Sequence, residues 1–270
     1  MHVARPATED DFEAIAEVAR ACDETGLDSA ATPSYCAFLL AHGQLVVAED
    51  DAAVVAYAGA LPVGPAWLLT DAFVHPRHRS EGAGRGVVEA ALAGALDVCT
   101  FSSQDPRALR RYAAYGMRPH WPLLYLRGKP AAIERDPLRL AEVGPEEASG
   151  FERRVTGWTR LALHDYLAAR PGHEALLDGD VLAIVHERED GTARLDRLLW
   201  TENVEAVDVV LGTLATVADL DEIELFLPGP SGALPALLDA GFRLEDHDHY
   251  MATTTGIVDP TRCCPHPGLA

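Results

Sequence analysis

The sequence predicts a mixed α/β protein made of two similar halves, each with a mostly antiparallel central sheet flanked by helices. Short β-prone runs alternate with amphipathic helical segments along the 270 residues. Two of these runs, Gln44 to Ala48 and Ala52 to Leu61, are separated by an acidic turn and indicate an antiparallel hairpin. The run around Gly116 recurs around Gly241, 125 residues later, which indicates two copies of one unit.

In the first half, a strand near Val3 precedes a helix whose start is marked by the capping residue Thr8 and the acidic residues after it. The hairpin follows. The half continues with these elements: a strand at Trp67 to Val74, a buried helix at Val87 to Leu96, a strand at Asp97 to Ser102, a helix from Asp105-Pro106 to Gly116, and a β-like segment at Leu123 to Leu126.

The second half repeats this order. Its elements are an opening strand and helix at Leu140 to Val155, β-prone runs at Val181 to Glu187 and Leu195 to Thr201, a fifth strand at Glu222 to Leu227 and a last strand at His249 to Thr253. We therefore expect a first domain at 1–129, a linker at 130–137, a second domain at 138–257 and a tail at 258–270. A proline-rich tail of this kind is commonly disordered.

Composition narrows the partners and the compartment. The formal net charge is −20, and the second half carries most of the negative excess. Such a surface repels nucleic acids and anionic membranes and attracts cationic ligands. Without a charged-then-apolar leader, or an apolar run of about 20 residues, a cytoplasmic protein is expected. The five scattered cysteines indicate reduced thiols, and the single lysine among many arginines and alanines is typical of bacterial coding.

Two clusters suggest a metal site only at first sight. Along a strand, Glu245, His247 and His249 share a face, but the outer two lie about 13 Å apart, so only two can share an ion. Zinc needs at least three protein ligands. The adjacent pair Cys263-Cys264 lacks the spacing of a zinc motif. We therefore predict no metal site.

The most informative stretch is a strand that turns through glycines into a helix. After Val74-His75-Pro76, the turn Arg79-Ser80-Glu81-Gly82-Ala83-Gly84 presents backbone N–H groups at a helix N-terminus, where they hold phosphate. Arg79 and Arg85 add charge-assisted contacts to phosphate. A Walker loop needs Gly-Lys-Ser/Thr, and the dinucleotide fingerprint needs Gly-x-Gly-x-x-Gly in a βαβ unit. Neither fits this turn.

These residues resemble the GNAT superfamily of acyl-CoA-dependent N-acyltransferases. Its signature, Gln/Arg-x-x-Gly-x-Gly/Ala after a strand ending in Val-x-Pro, is matched by Arg79, Gly82 and Gly84. A second family segment, Asn-x-x-Ala-x-x-x-Tyr-x-x-x-Gly-Phe, follows at the expected distance. The residues at its five positions are Asp105, Ala108, Tyr112, Gly116 and Met117. Asp105 therefore puts a carboxylate where the family has a neutral amide.

The resemblance covers residues 3–128 and implies that the fourth and fifth strands splay apart to admit acetyl-CoA or another short acyl-CoA. It implies that the backbone of Phe73 and Val74 pairs with the pantetheine arm. The residues implied to contact the rest of the coenzyme are Arg79, Ser80, Glu81, Gly82, Ala83, Gly84, Arg85 and Asp105. Tyr112 would protonate the leaving thiolate, although it also fits a packing role.

The base that deprotonates the amine is not fixed by a motif. Asp71, three residues before Val74, is the candidate, because its strand borders the acceptor side in the family. Its alternative role is to cap a neighbouring loop. Catalysis is expected in the first half, because Leu237 takes the place of Tyr112 in the second and Thr201 to Glu205 lacks glycines. Trp158 and Tyr166 could line a cationic acceptor site or belong to an acidic surface.

We therefore expect an N-acetyltransferase that transfers an acetyl or short acyl group, by direct attack, to the amine of a small cationic molecule. The protein would be a monomer or homodimer. The alternatives are a non-catalytic acyl-CoA-binding module and an enzyme that acylates a hydroxyl group.

Overall fold

The computed structural model describes residues 2–24, 29–79 and 82–269. Its helices are α1 (Phe12–Ala21), α2 (Pro33–His42), α3 (Ala83–Ala91), α4 (Pro106–Ala114), α5 (Pro145–Thr156), α6 (Leu161–Ala168), α7 (Ala206–Thr216) and α8 (Leu234–Asp239). Its strands are β1 (Val3–Pro6), β2 (Gln44–Asp50), β3 (Ala53–Val63), β4 (Ala66–Val74), β5 (Val98–Ser102), β6 (Arg118–Gly128), β7 (Ala141–Glu142), β8 (His173–Leu177), β9 (Val181–Glu187), β10 (Thr192–Trp200), β11 (Glu222–Pro228), β12 (Arg243–Ala252) and β13 (Cys263–Cys264).

The described strands join into one sheet. Their order is β1-β2-β3-β4-β5-β12-β6-β11-β10-β9-β8-β7, and β13 pairs with β10. The pairs β4–β5 and β10–β11 are parallel, whereas the other neighbours are antiparallel. The prediction of two halves with mixed, mostly antiparallel sheets flanked by helices is confirmed.

The two halves exchange their last strands at the centre of the sheet. β6 of the first half pairs with β11, and β12 of the second half pairs with β5. Where β6 and β12 meet, Leu123 pairs with Asp248, which lies 125 residues later in the chain. For the pairs on either side, adding 125 to the β6 residue number of one pair gives the β12 residue of the other. A local two-fold relation between the halves therefore passes through this pair. The domain boundaries drawn from the sequence stay a prediction.

Apolar helices cover both faces of the sheet. In the first half, Val87 and Val88 of α3 are buried against one face, while Tyr35 and Leu39 of α2 are buried against the other. In the second half, α7 packs on β9, β10 and β11 through residues that are almost fully buried. Among the described residues, no helix combines the length and apolar character that crossing a membrane requires.

The C-terminal tail is part of the fold. Cys263 and Cys264 form β13 and are 6% and 0% exposed. Leu269 packs into the same core as Tyr35. The expectation of a disordered tail is wrong, because these apolar side chains are buried against both halves.

Candidate functional site

Strands β4 and β5 diverge soon after they meet. They pair only at Trp67 with Val98 and at Leu68 with Cys99. The hydroxyl of Thr100 then donates a 2.8 Å hydrogen bond to the carbonyl of Leu69. Beyond this point a cavity of about 1360 Å³ opens between the strands and extends to α3 and α4.

The cavity collects the site residues predicted from the sequence. Those that line it are Asp71, Phe73, Val74, Arg79, Gly82, Ala83, Gly84, Arg85, Asp105 and Tyr112. Ser80 and Glu81 lie outside the described residues. Two distant sequence segments, the glycine turn and α4, are thus brought to one concave surface.

Along β4, neighbouring residues direct their backbone N–H and C=O groups to opposite sides of the strand. Phe73 lies opposite Tyr57 of β3, and the amide of His75 donates to the carbonyl of Val55. In an antiparallel ladder this arrangement turns the backbone groups of Phe73 toward β3 and those of Val74 toward the cavity. The thiol of Cys22 approaches the Val74 carbonyl at 3.4 Å. Val74 is therefore the residue of this pair whose amide faces the cavity.

The glycine turn ends in a helix N-terminus at the cavity wall. Gly82 precedes α3 with a φ of +92°, a conformation that favours glycine. The first N–H groups of a helix, here those of Ala83 and Gly84, have no acceptor within the helix. A Cβ on Gly84 would lie 2.7 Å from the Val74 side chain and from Arg111. This position therefore needs a glycine to keep the helix start close to β4.

Arginines surround this end of the cavity, but two of them are already paired. The lining arginines are Arg79, Arg85, Arg107, Arg110 and Arg111. Arg85 pairs with Glu89 at 2.7 Å. Arg107 pairs with Asp105 at 2.7 Å, and its backbone amide donates to the same carboxylate. Asp105 thus caps α4, and the Arg107 contacts lower its pKa.

Tyr112 lies on α4 and lines the cavity. It is 9% exposed, and burial raises the pKa of its phenol to about 12. The phenol is therefore protonated at neutral pH. Its neighbour Tyr115 instead donates to the backbone carbonyl of Arg85 at 3.3 Å and ties α4 to α3.

Asp71 lies on β4, lines the cavity and is only 7% exposed. Its Oδ2 accepts hydrogen bonds from the hydroxyls of Tyr35 at 2.8 Å and Thr70 at 2.7 Å. Burial raises the pKa of Asp71 despite these hydrogen bonds, which lower it. The carboxyl group is therefore easier to protonate than an exposed aspartate.

Two further carboxylates at this end were missed by the sequence reasoning. Burial and the charges of Asp71 and Asp248 raise the pKa of Glu24 to about 7. Asp248 comes from β12 of the second half; it accepts a 2.6 Å hydrogen bond from Tyr125, and burial raises its pKa. Both residues line the cavity. No local spacing in the sequence links them, although Asp248 lies within the run considered for a metal.

The cavity therefore has an electropositive part and an acidic part. A helix N-terminus and arginines form one part, and the carboxyl groups of Glu24, Asp71 and Asp248 form the other. Charges from both parts act on the Tyr112 phenol: the charge of Arg111 lowers its pKa, and the charges of Asp71 and Asp248 raise it. Such a cavity can hold an anionic group at one end and a cationic group at the other.

Other sequence expectations fall outside this cavity. Trp158 packs over Gly64, and Tyr166 stacks on Phe38 with a centroid distance of 4.4 Å. Neither lines the cavity. Leu237, the counterpart of Tyr112, is fully buried in the core of the second half.

One cluster in the second half has the composition of a metal site. Ligand atoms of His173, His186 and Asp196 lie within 4.8 Å of one another. Asp196 is already bound by the guanidinium of Arg194 and by His173 Nε2 at 3.0 Å. These contacts hold the pKa of Asp196 well below its usual range despite burial. The carboxylate thus has a cationic partner within the protein.

Comparison with known proteins agrees with this geometry. Residues 12–117 match the model of the acetyltransferase (GNAT) family. No curated protein matches the chain in sequence.

Three solved structures resemble the whole chain. A candidate acetyltransferase from Pyrococcus horikoshii is 13% identical, with a TM-score of 0.73 over 100% of this chain and 96% of that one. A tandem GNAT protein from the clavulanic acid biosynthesis pathway is 17% identical, with a TM-score of 0.62 over 93% and 98%. Eis1 from Mycobacterium abscessus is 18% identical, with a TM-score of 0.59 over 95% and 74%.

At these identities the structural likeness shows the fold. The family match covers the segment that contains the glycine turn and Tyr112, and the tandem fold extends over both halves. Residues 12–117 thus match the GNAT acetyltransferase family, and the chain as a whole has the fold of a tandem GNAT structure.

Proposed function

We propose that the protein is an N-acetyltransferase that moves an acetyl or other short acyl group from acyl-CoA to the amine of a small cationic molecule. The observation that carries the proposal is the polarity of one cavity: it is lined by a helix N-terminus and arginines, by the carboxyl groups of Glu24, Asp71 and Asp248, and by Tyr112, on which charges of both signs act. We expect it to work in the bacterial cytoplasm as a monomer or homodimer.

The anionic part of acyl-CoA would bind at the start of α3. The amides of Ala83 and Gly84 would donate to the pyrophosphate, and Arg79 would add a charge-assisted contact. The amide of Val74 would pair with the pantetheine arm along the free edge of β4. This arrangement directs the thioester toward Tyr112 and the acidic end.

The acidic end would hold and deprotonate the amine. Glu24, Asp71 and Asp248 favour a protonated amine by charge. The amine attacks only as the free base, so its proton must first leave. Asp71 and Glu24 interact, and they would accept the proton as a coupled pair. A group whose pKa is near 7 suits this task at neutral pH.

The acyl group is then transferred from sulfur to the amine nitrogen. The amine nitrogen forms a bond to the acyl carbon, the C–S bond breaks, and the electron pair of that bond leaves with sulfur. The phenol of Tyr112 gives its proton to the thiolate. After the attack the positively charged nitrogen loses a second proton, which returns to Tyr112 through solvent, while the proton first taken by the carboxyl pair is released to solvent. The products are an amide and free coenzyme A.

Thiol release from acetyl-CoA tests the proposal, with a panel of amines and their hydroxyl analogues as acceptors. We expect release with cationic amines, and a fall of about 10²-fold or more in kcat for Tyr112→Phe. Tyr166→Phe serves as control, because this phenol lies outside the cavity. Release with hydroxyl analogues alone would favour an O-acyltransferase. Binding of acetyl-CoA without release would favour a non-catalytic acyl-CoA-binding module.

A further inference from the structure

The two-fold relation between the halves allows their sheet edges to be compared residue by residue. β4 runs parallel to β5, and β10 runs parallel to β11. Trp67 pairs with Val98 in the first half, as Ala193 pairs with Ile223 in the second. On this alignment, Phe73 and Val74 correspond to Leu199 and Trp200. The free edge of β4 thus has a defined counterpart on β10.

In the second half that edge is occupied by the chain itself. β10 pairs with β11 from Thr192 to Leu195 and then with β13 of the tail. Leu199 lies opposite Cys263, and the amide of Trp200 donates to the carbonyl of Arg262 at 3.2 Å. An extended segment therefore lies where the first half leaves the amide of Val74 facing a cavity.

The segment is held firmly at both ends. Cys264 is fully buried. The guanidinium of Arg160 donates a 2.6 Å hydrogen bond to the carbonyl of Leu269, and Glu152 in turn binds Arg160 at 2.9 Å. The ring of His266 meets Phe226 edge to face at 5.2 Å. These contacts fix the course of the chain from 262 to 269.

Between these anchors the tail crosses to the first half and reaches the acidic end of the cavity. His266, Pro267 and Gly268 line the cavity. A Cβ on Gly268 would lie 3.7 Å from the hydroxyl of Tyr35, which donates to Asp71. A side chain at position 268 would therefore project toward the place proposed for the amine.

We infer that residues 262–269 are a built-in insert with two consequences. In the second half the insert fills the counterpart of the acyl-CoA groove, so that only the first half binds coenzyme. In the first half it forms the wall of the acceptor pocket and limits the size of the amine. The second consequence rests on the proposed amine acceptor, whereas the first rests only on the proposed binding of coenzyme by the first half.

The groove claim is tested by hydrogen exchange and by binding stoichiometry, neither of which needs an amine. In the ligand-free protein, we expect the amide of Trp200 to exchange slowly and that of Val74 to exchange fast. Coenzyme A should slow exchange at Val74, leave Trp200 unchanged and bind once per chain. Fast exchange at Trp200 that slows on coenzyme addition, or a second equivalent bound, would overturn the claim.

The wall claim is tested with Gly268→Leu and Gly268→Ala. Both added side chains make ordinary contacts at the Cβ, so the backbone can stay in place. We expect Gly268→Leu to raise the KM for larger amines tenfold or more, Gly268→Ala to change it less than threefold, and the Kd for coenzyme A to stay within twofold. The control is Gly150→Leu on α5, where a Cβ meets nothing within 4 Å.

Two results would overturn the wall claim. One is an unchanged KM for every amine in Gly268→Leu, and the other is a weakened coenzyme affinity with unchanged amine KM. If the wild-type protein acylates no amine, the proposed function and the wall claim fail together. Slow exchange at the Trp200 amide would still support the groove claim.

Discussion

The hydroxyl of Tyr35 donates a 2.8 Å hydrogen bond to Oδ2 of Asp71, and both groups are buried. This hydrogen bond lowers the pKa of Asp71 and so opposes the effect of burial. It also joins α2 to the strand that borders the proposed reaction centre.

Tyr35→Phe should therefore raise the pKa of Asp71 further. If Asp71 accepts the proton as a carboxylate, the acidic limb of the pH profile of kcat/KM should move to higher pH. The free energy of unfolding should fall by about 1–3 kcal/mol, because a buried acceptor loses a donor. Tyr57→Phe is the matched control, since Tyr57 is also buried and its hydroxyl has no hydrogen-bond partner among the described residues. An unshifted limb would remove Asp71 from the proton path.

Glu24→Gln distinguishes the contribution of Glu24 to proton transfer from that of Asp71. The wild-type acidic limb should have an apparent pKa near 7, since activity requires Glu24 unprotonated and its pKa is about 7. In the variant only Asp71 remains to accept the proton, and removal of the neighbouring charge lowers its pKa, so the limb should move to lower pH and kcat/KM should fall by about 10²-fold or more. Glu17→Gln, an exposed change on α1, is the control. An unshifted limb with unchanged kcat/KM would remove Glu24 from the proton path.

The pairing of Leu123 with Asp248 shows what the sequence could and could not predict. Gly116 and Gly241 mark the same turn in each copy, so the repeat and its 125-residue interval can be read locally. The exchange of β6 and β12 cannot, because a strand keeps the same alternation whichever half it pairs with. Only packing between the halves decides the partner.

The candidate site could likewise be predicted only in part from the sequence. The glycine turn and Tyr112 belong to short motifs, so their residues are recognisable in sequence. Glu24 and Asp248 meet only because β12 lies beside β5. Tyr35 could have been found, since Thr32-Pro33 has the cap and first-turn proline of a helix start. Its helix α2 is buried on several faces and lacks a clear apolar stripe.

Gly84→Ala should weaken coenzyme binding. The new methyl group would lie 2.7 Å from the Val74 side chain, so the start of α3 must move away from β4. We expect the Kd for coenzyme A, measured by calorimetry, to rise tenfold or more. Gly86→Ala is the matched control, because its methyl group meets only Ala4 at 3.7 Å and alanine favours the helix. Equal affinities in the two variants would argue against a pyrophosphate at this turn.

Glu152→Gln should destabilise the fold that anchors the tail. Glu152 is fully buried and binds Arg160, Arg197 and His164. Neutralising it leaves two buried guanidinium groups uncompensated, at a cost of about 3–5 kcal/mol in the free energy of unfolding. Urea denaturation at pH 7 measures this cost. Glu147→Gln, exposed on the same helix, should change it by less than about 0.5 kcal/mol.

The pH dependence of this difference provides a second check. Burial raises the pKa of Glu152, but the neighbouring arginines and His164 outweigh it and hold the pKa well below its usual range. Because the folded pKa is lower than the unfolded one, the stabilisation is fully present above about pH 4.5 and declines as the pH falls below that value. The stability gap between the wild-type protein and Glu152→Gln should therefore narrow in acid. A gap that stays constant down to pH 3 would mean that the charge of Glu152 does not hold this cluster together.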